Sequence, residues 1–158
     1  NQLLRSESAQ NYLLNIFTRN GVDTSRLIIR SPKPRSEFLE SYNDIDIALD
    51  PFPYGGGTTT LESLLMNVPV ISIDGDRWMG RHSSGCLRAC GHPELVARDQ
   101  EDYQLKAIEL AADIERLRSY RQVLKIEVEA SELNVNKHTL NFEQAIRDMW
   151  LIQCKKLK

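Results

Sequence analysis

The sequence predicts an α/β domain built on a short-stranded parallel sheet, and three observations carry the prediction. Short β-rich runs alternate with segments whose apolar residues recur at helical spacing. A glycine triplet stands between one such strand and the helix that follows it. The chain has 158 residues, about one domain, and enough to bury a core unaided.

The elements follow in order. Ala9, Leu13, Ile16 and Phe17 predict a helix over 7–19 that stops at Gly21. Leu27-Ile28-Ile29 reads as a strand before Pro32 and Pro34, and Glu37 to Tyr42 as a short helix. Ile45 to Leu49 is a second strand, ended by Asp50-Pro51-Phe52-Pro53. After the glycines, Leu61, Leu64 and Leu65 mark a helix from about Thr59, with one of the threonines as its N-cap. Val68 to Ile73 is a strand, 79–90 a helix ending near Gly91, and Glu94 to Ala97 a last strand. Leu110, Ile114, Leu117, Leu124 and Val128 put one long helix over 101–129, and Leu140, Ile146, Met149 and Trp150 a final helix over 139–154. Strands alternating with helices give a Rossmann-like sheet covered on both faces. No repeat or Gly/Ser linker divides the chain, so a single domain over 1–158 is expected.

Composition excludes several functions. With 20 Lys+Arg against 22 Asp+Glu, the chain lacks the basic excess of a sequence-blind nucleic-acid binder. No apolar run approaches the roughly 20 residues of a membrane span, and the polar start is no secretory signal. Cys86, Cys90 and Cys154 cannot all pair with one another, which points to reduced thiols in a cytoplasmic protein. Cys86 and Cys90 lack a second Cys pair, so no zinc site is expected. His82, His92 and His138 read as structural or surface residues, and Trp78 and Trp150 as packing residues.

The chemistry concentrates in Tyr54-Gly55-Gly56-Gly57-Thr58-Thr59-Thr60-Leu61-Glu62-Ser63. Glycines let a ligand approach the backbone. The helix start beyond them presents free N–H groups and the positive end of its dipole, an anion site suited to a diphosphate. The run is neither a Walker A motif nor G-x-G-x-x-G. Two readings stand. The turn either serves the backbone alone, with Glu62 solvated, or holds a diphosphate, with Glu62 accepting from a sugar diol.

The stretch from Asp46 to Leu64, followed by Asn67-Val68-Pro69-Val70, resembles the C-terminal catalytic lobe of the O-GlcNAc transferase family, and more closely its SPINDLY-like branch. The resemblance continues through Gly75, Arg81, Gly91, Glu94-Leu95-Val96-Ala97, Leu117, Arg121 and Arg147-Asp148-Met149-Trp150, covering about residues 24–152. It implies an inverting glycosyltransferase of the GT-B type, in which two Rossmann-like lobes face each other, usually behind tetratricopeptide repeats. The C-terminal lobe would bind the nucleotide-sugar donor, with no divalent metal. The resemblance places Gly56, Gly57, Thr58, Thr59 and Thr60 at the diphosphate and Glu62 at the ribose. Animal members carry His in place of Gly57 and Asp in place of Glu62.

The resemblance also places Lys33, Arg35 and Phe38 around the base, Lys33 mainly through its backbone. Phe38 stands where the family has a histidine packed on the base, and Arg35 where it has a lysine. Arg35 as a surface residue and Phe38 as a core anchor remain open. The family's lobe begins with a further strand–helix–strand carrying an Asn/Gln pair and a phosphate-binding lysine. This chain is expected to begin at or just after the second strand, with Asn1-Gln2-Leu3-Leu4 as its remnant. The lysine and the N-terminal lobe with its general base would then lie outside it, as would the contacts to a protein acceptor. A sheet missing a strand would leave an edge open to pairing.

The donor implied is UDP-GlcNAc or, as in plant SPINDLY, GDP-fucose. Transfer would be to protein Ser or Thr, and the lobe alone is expected to be inactive. A non-catalytic nucleotide-binding module of the same fold is the alternative. A nucleotide-sugar epimerase of the GT-B type fits the Phe-Pro-Tyr turn and the Met-Trp ending less well.

Overall fold

The computed structural model describes residues 5–31 and 33–156; the segment Asn1-Gln2-Leu3-Leu4 lies outside them. The chain divides into two compact units, residues 1–41 and 42–158.

In the first unit, α1 (Glu7–Arg19) ends as the glycine predicts. Gly21 takes φ +76, and Val22 N–H reaches back to the Phe17 carbonyl at 3.0 Å, closing a left-handed C-terminal cap. Leu27-Ile28-Ile29 departs from expectation: it joins no strand pairing, and Ile28 is 78% exposed. A β-rich run becomes a strand only where a neighbour supplies the ladder. The short helix α2 (Arg35–Glu40) starts two residues earlier than predicted and gives way to a 3₁₀ turn at Ser41–Asp44.

The second unit is built on three parallel strands in the order β1 (Ala48–Leu49), β2 (Val70–Ile73), β3 (Val96–Ala97). Ala48 pairs with Val70 and Leu49 with Ile71; Ser72 pairs with Val96 and Ile73 with Ala97. All three strands are shorter than their apolar runs. The middle strand is buried through Ser72, as a sheet covered by helices requires.

Helix α3 (Thr58–Leu65) returns the chain from β1 to β2. Its C-terminus turns on Asn67, at φ 58, where Asn is among the residues that accept the left-handed region. Val68 N–H bonds the Ser63 carbonyl at 2.9 Å and Asn67 N–H that of Leu64 at 3.0 Å, a Schellman closure. Helix α4 (His82–Ala89) connects β2 to β3. It packs with α3 and α5 (Gln100–Ala112) on the central strand.

The long helix expected over 101–129 is two helices, α5 and α6 (Ile114–Ala130). At Asp113 the backbone leaves the helical region, at φ −100 and ψ 82. The Asp113 carboxylate accepts from Arg116 N–H at 2.9 Å, capping a new helix in place of continuing the old one. Helix α7 (Val135–Lys156) begins before the expected 139, because the Asn134 side chain accepts from the N–H groups of Asn136 and Lys137.

The core joins Leu64, Val70, Ile71, Leu87, Leu95, Leu110, Tyr120, Leu124 and Val128. Beside it, His92 is buried, with Nδ1 3.0 Å from Glu94 and Nε2 2.7 Å from Glu127, a structural role as expected. Trp78 keeps an edge-to-face contact with His82, while Trp150 corrects the packing expectation. They are 77% and 68% exposed, one on the loop after β2 and the other on a helix that buries none of its residues.

Candidate functional site

The glycine–threonine turn lies where the sequence places it, between the C-terminal end of β1 and the start of α3. Its geometry is set by a residue that sequence reasoning missed. Asp50, 6% exposed, follows β1 directly and faces the turn. Its Oδ1 accepts from Gly56 N–H at 2.6 Å, and its Oδ2 from the Ser72 hydroxyl at 2.7 Å. The Tyr103 hydroxyl donates to the Asp50 carbonyl at 3.0 Å, and burial pushes that phenol up to about 12. The only signal in the sequence was an acidic residue between a strand and a glycine run.

The glycines divide by role. A Cβ at Gly55 would stand 2.9 Å from Asp50 Oδ2, and one at Gly56 2.6 Å from Thr59 Oγ1 and 2.9 Å from Thr60 Oγ1. These two glycines are required by close approach within the protein. The atoms nearest to a Cβ at Gly57 belong to His82, with Nδ1 at 3.4 Å, so this glycine is under less steric demand than the other two.

The N-cap of α3 is Gly57, at φ −127 and ψ −77, with no side-chain cap; the expected threonine cap is corrected. Thr58 and Thr59 are exposed. Thr60 is 3% exposed, and its hydroxyl lies 2.8 Å from that of Ser83. The Ser83 hydroxyl also donates to the Gly56 carbonyl at 2.6 Å, tying α4 to the turn. The first intrahelical bond of α3 runs from Leu61 N–H to the Gly57 carbonyl, at 3.1 Å. The N–H groups of Thr58, Thr59 and Thr60 therefore have no partner within the helix, and no side chain has taken the cap position. A short hydroxyl side chain is the usual occupant there, so an uncapped start is the arrangement an external acceptor needs.

Glu62 is half-buried on the second turn of α3, near enough to Tyr42 to raise its phenol after burial, the larger cause. The Tyr42 hydroxyl donates to the Thr59 carbonyl at 3.2 Å, holding this face of the helix. Beyond β2, Asp74 accepts from Arg88 and from Ser84, both at 2.7 Å; the Arg88 bond and then the Ser84 bond hold its carboxyl below the usual range. Gly75 and Gly80 close that loop, since a Cβ on Gly75 would lie 2.8 Å from the Gly80 Cα. At the C-terminal ends of the strands, Phe52, Pro53, Ile73, Gly75, Gly80 and Gln100 help to line a cavity of about 240 Å³.

Lys33, Arg35 and Phe38 belong to the first unit, at and just before α2. All three are exposed, and Lys33 pairs with Glu37 at 3.7 Å. Gly56 through Glu62 belong to the second unit, where one turn and one helix bring them together.

Comparison with known proteins defines the class first. A mutant of the Thermobaculum terrenum O-GlcNAc transferase matches this structure with a TM-score of 0.88 and 37% sequence identity, over 98% of this chain and 30% of that one. With its small parallel sheet and flanking helices, the chain matches part of the α/β GT-B fold of that transferase.

The family follows. The model of glycosyl transferase family 41 matches residues 3–142, and the chain belongs to that family. A SPINDLY protein of Solanum lycopersicum, named a probable UDP-N-acetylglucosamine–peptide N-acetylglucosaminyltransferase, is 33% identical over 94% of this chain and 16% of its own length. The protein of the same name from Arabidopsis thaliana is 33% identical over 75% of this chain and 13% of its own length. The chain thus spans about a sixth of the curated relatives it matches. Among the described residues, no helix is long and apolar enough to cross a membrane.

Proposed function

We propose that this chain binds the nucleotide-sugar donor of a protein O-glycosyltransferase, with the diphosphate at the start of α3. The uncapped helix beginning at Gly57 carries this reading. Three N–H groups and the positive end of the helix dipole converge where a leaving diphosphate develops charge. Asp50 fixes the turn from behind, so the donors are positioned before the ligand arrives. Thr58 and Thr59 supply hydroxyls at the rim, and Thr60 holds the turn from inside. Glu62 accepts from the ribose hydroxyls.

In the transfer, a protein serine or threonine hydroxyl attacks the anomeric carbon on the face opposite the departing UDP or GDP. The carbon–oxygen bond to the diphosphate breaks with inversion, and the hydroxyl proton passes to a general base within hydrogen-bond reach. We assign that base, the acceptor contacts, the opposing lobe and the tetratricopeptide repeats to parts of the protein outside this chain, so the chain alone is inactive. The donor sugar is GlcNAc or fucose. Free Cys86, Cys90 and Cys154 fit a reducing compartment such as the cytoplasm.

Calorimetric titration of the full-length protein with UDP and GDP tests the reading. Glu62→Ala is expected to weaken nucleoside diphosphate binding by about 1–3 kcal/mol, the cost of leaving its hydrogen-bond partners unsatisfied. An unchanged affinity would return Glu62 to the solvated surface.

A further inference from the structure

We propose that His82 is a positioning residue for the donor's distal phosphate, an inference that rests on the donor reading above. His82 is the first residue of α4, and its ring borders the gap that Gly57 leaves open. A Cβ on Gly57 would lie 3.4 Å from Nδ1 and 3.8 Å from the Cβ and Cγ of this histidine. The nitrogen therefore lies beside Gly57, the N-cap of α3, next to the N–H groups assigned to the diphosphate.

The ring is held there from two sides. The Trp78 indole meets it edge to face, with centroids 4.2 Å apart and planes at 87°. The next residue, Ser83, anchors the start of α4 to the turn through the Gly56 carbonyl and the Thr60 hydroxyl. Like α3, α4 has no side-chain cap, so two helix starts meet with one imidazole between them.

An N–H donor in this place reaches an oxygen of the outer phosphate and leaves the nucleoside untouched. A phosphate oxygen bonded by an imidazole N–H gains a charge-assisted hydrogen bond, stronger than a neutral pair. The second phosphate is what separates a nucleoside diphosphate from the monophosphate, so His82 acts on the difference between them.

The test is a titration of the full-length protein with UDP and UMP, and with GDP and GMP, comparing wild type, His82→Ala and His82→Asn. His82→Ala is expected to lose about tenfold in diphosphate affinity, in line with one hydrogen bond to a charged group, with monophosphate affinity unchanged. His82→Asn places a donor near the position of Nδ1 and is expected to restore most of the loss. An unchanged preference for diphosphate over monophosphate in His82→Ala overturns the proposal, as does an equal loss for both ligands. Wild-type protein that binds neither UDP nor GDP overturns the donor reading itself, and this proposal with it.

Discussion

Replacing Asp50 tests how the turn is held. Its carboxylate accepts two hydrogen bonds, from Gly56 N–H and from the Ser72 hydroxyl, in a side chain that is almost fully buried. Hydrogen bonds to a charged group are worth about 1.5–3 kcal/mol each. Asp50→Ala removes both and leaves the part-buried Gly56 N–H without its acceptor, so a loss of about 3–5 kcal/mol is expected. At this chain length each kcal/mol moves Tm by about 2–4 °C, so the melting temperature should fall by roughly 6–20 °C. Asp50→Asn is the informative companion. Its oxygen can keep the Gly56 bond while its NH₂ donates to Ser72 Oγ, and it should cost only about 1–2 kcal/mol. Urea unfolding followed by far-UV circular dichroism measures both variants. An alanine variant within 1 kcal/mol of wild type, or an asparagine variant as damaged as the alanine one, would refute the clamp.

Other outcomes follow from the same contacts. Gly56→Ala is expected to cost about 1–3 kcal/mol through overpacking, because Thr60 and Asp50 are already engaged and cannot yield; urea midpoints check this. Leu124→Ala, emptying a site buried between α6 and the core, should cost about 2–5 kcal/mol in the same assay. Asp74 and Glu94 have carboxyls held below their ordinary values. For Asp74 the cause is the Arg88 bond and then the Ser84 bond; for Glu94 burial pulls the other way but is outweighed by its own backbone N–H, Tyr120 and His92. Their stabilisation is present above the unfolded-state values and is lost as pH falls through the folded ones, so Asp74→Asn should flatten the acid limb of a stability–pH profile. Tyr103 and Tyr120 are pushed up to about 12, first by burial, and should be missing from the absorbance step near pH 10 that an ordinary tyrosine gives.

The order of most helices and strands and the place of the glycine–threonine turn were legible because they rest on local chemistry. Glycines that admit close approach, a Val-Pro strand entry and helical spacing of leucines all act within a few residues. What was not legible depends on distant partners. Leu27-Ile28-Ile29 has strand composition but no ladder. The break at Asp113 is invisible to periodicity, since Leu110, Ile114 and Leu117 continue one helical stripe across it and Ala111-Ala112 favour helix. Asp50 acquires its role only when Ser72, on the neighbouring strand, comes alongside. Thr60 shared the same threonine signal as Thr58 and Thr59, yet Ser83, 23 residues away, draws its hydroxyl inward.

In the proposed function, the start of α3 receives the diphosphate of a nucleotide sugar. A calorimetric panel of UDP- and GDP-sugars against the full-length protein tests it most directly. Saturable binding of one nucleotide class, UDP or GDP, is expected without added metal, weakened by Glu62→Ala. A folded protein that binds neither class would contradict it.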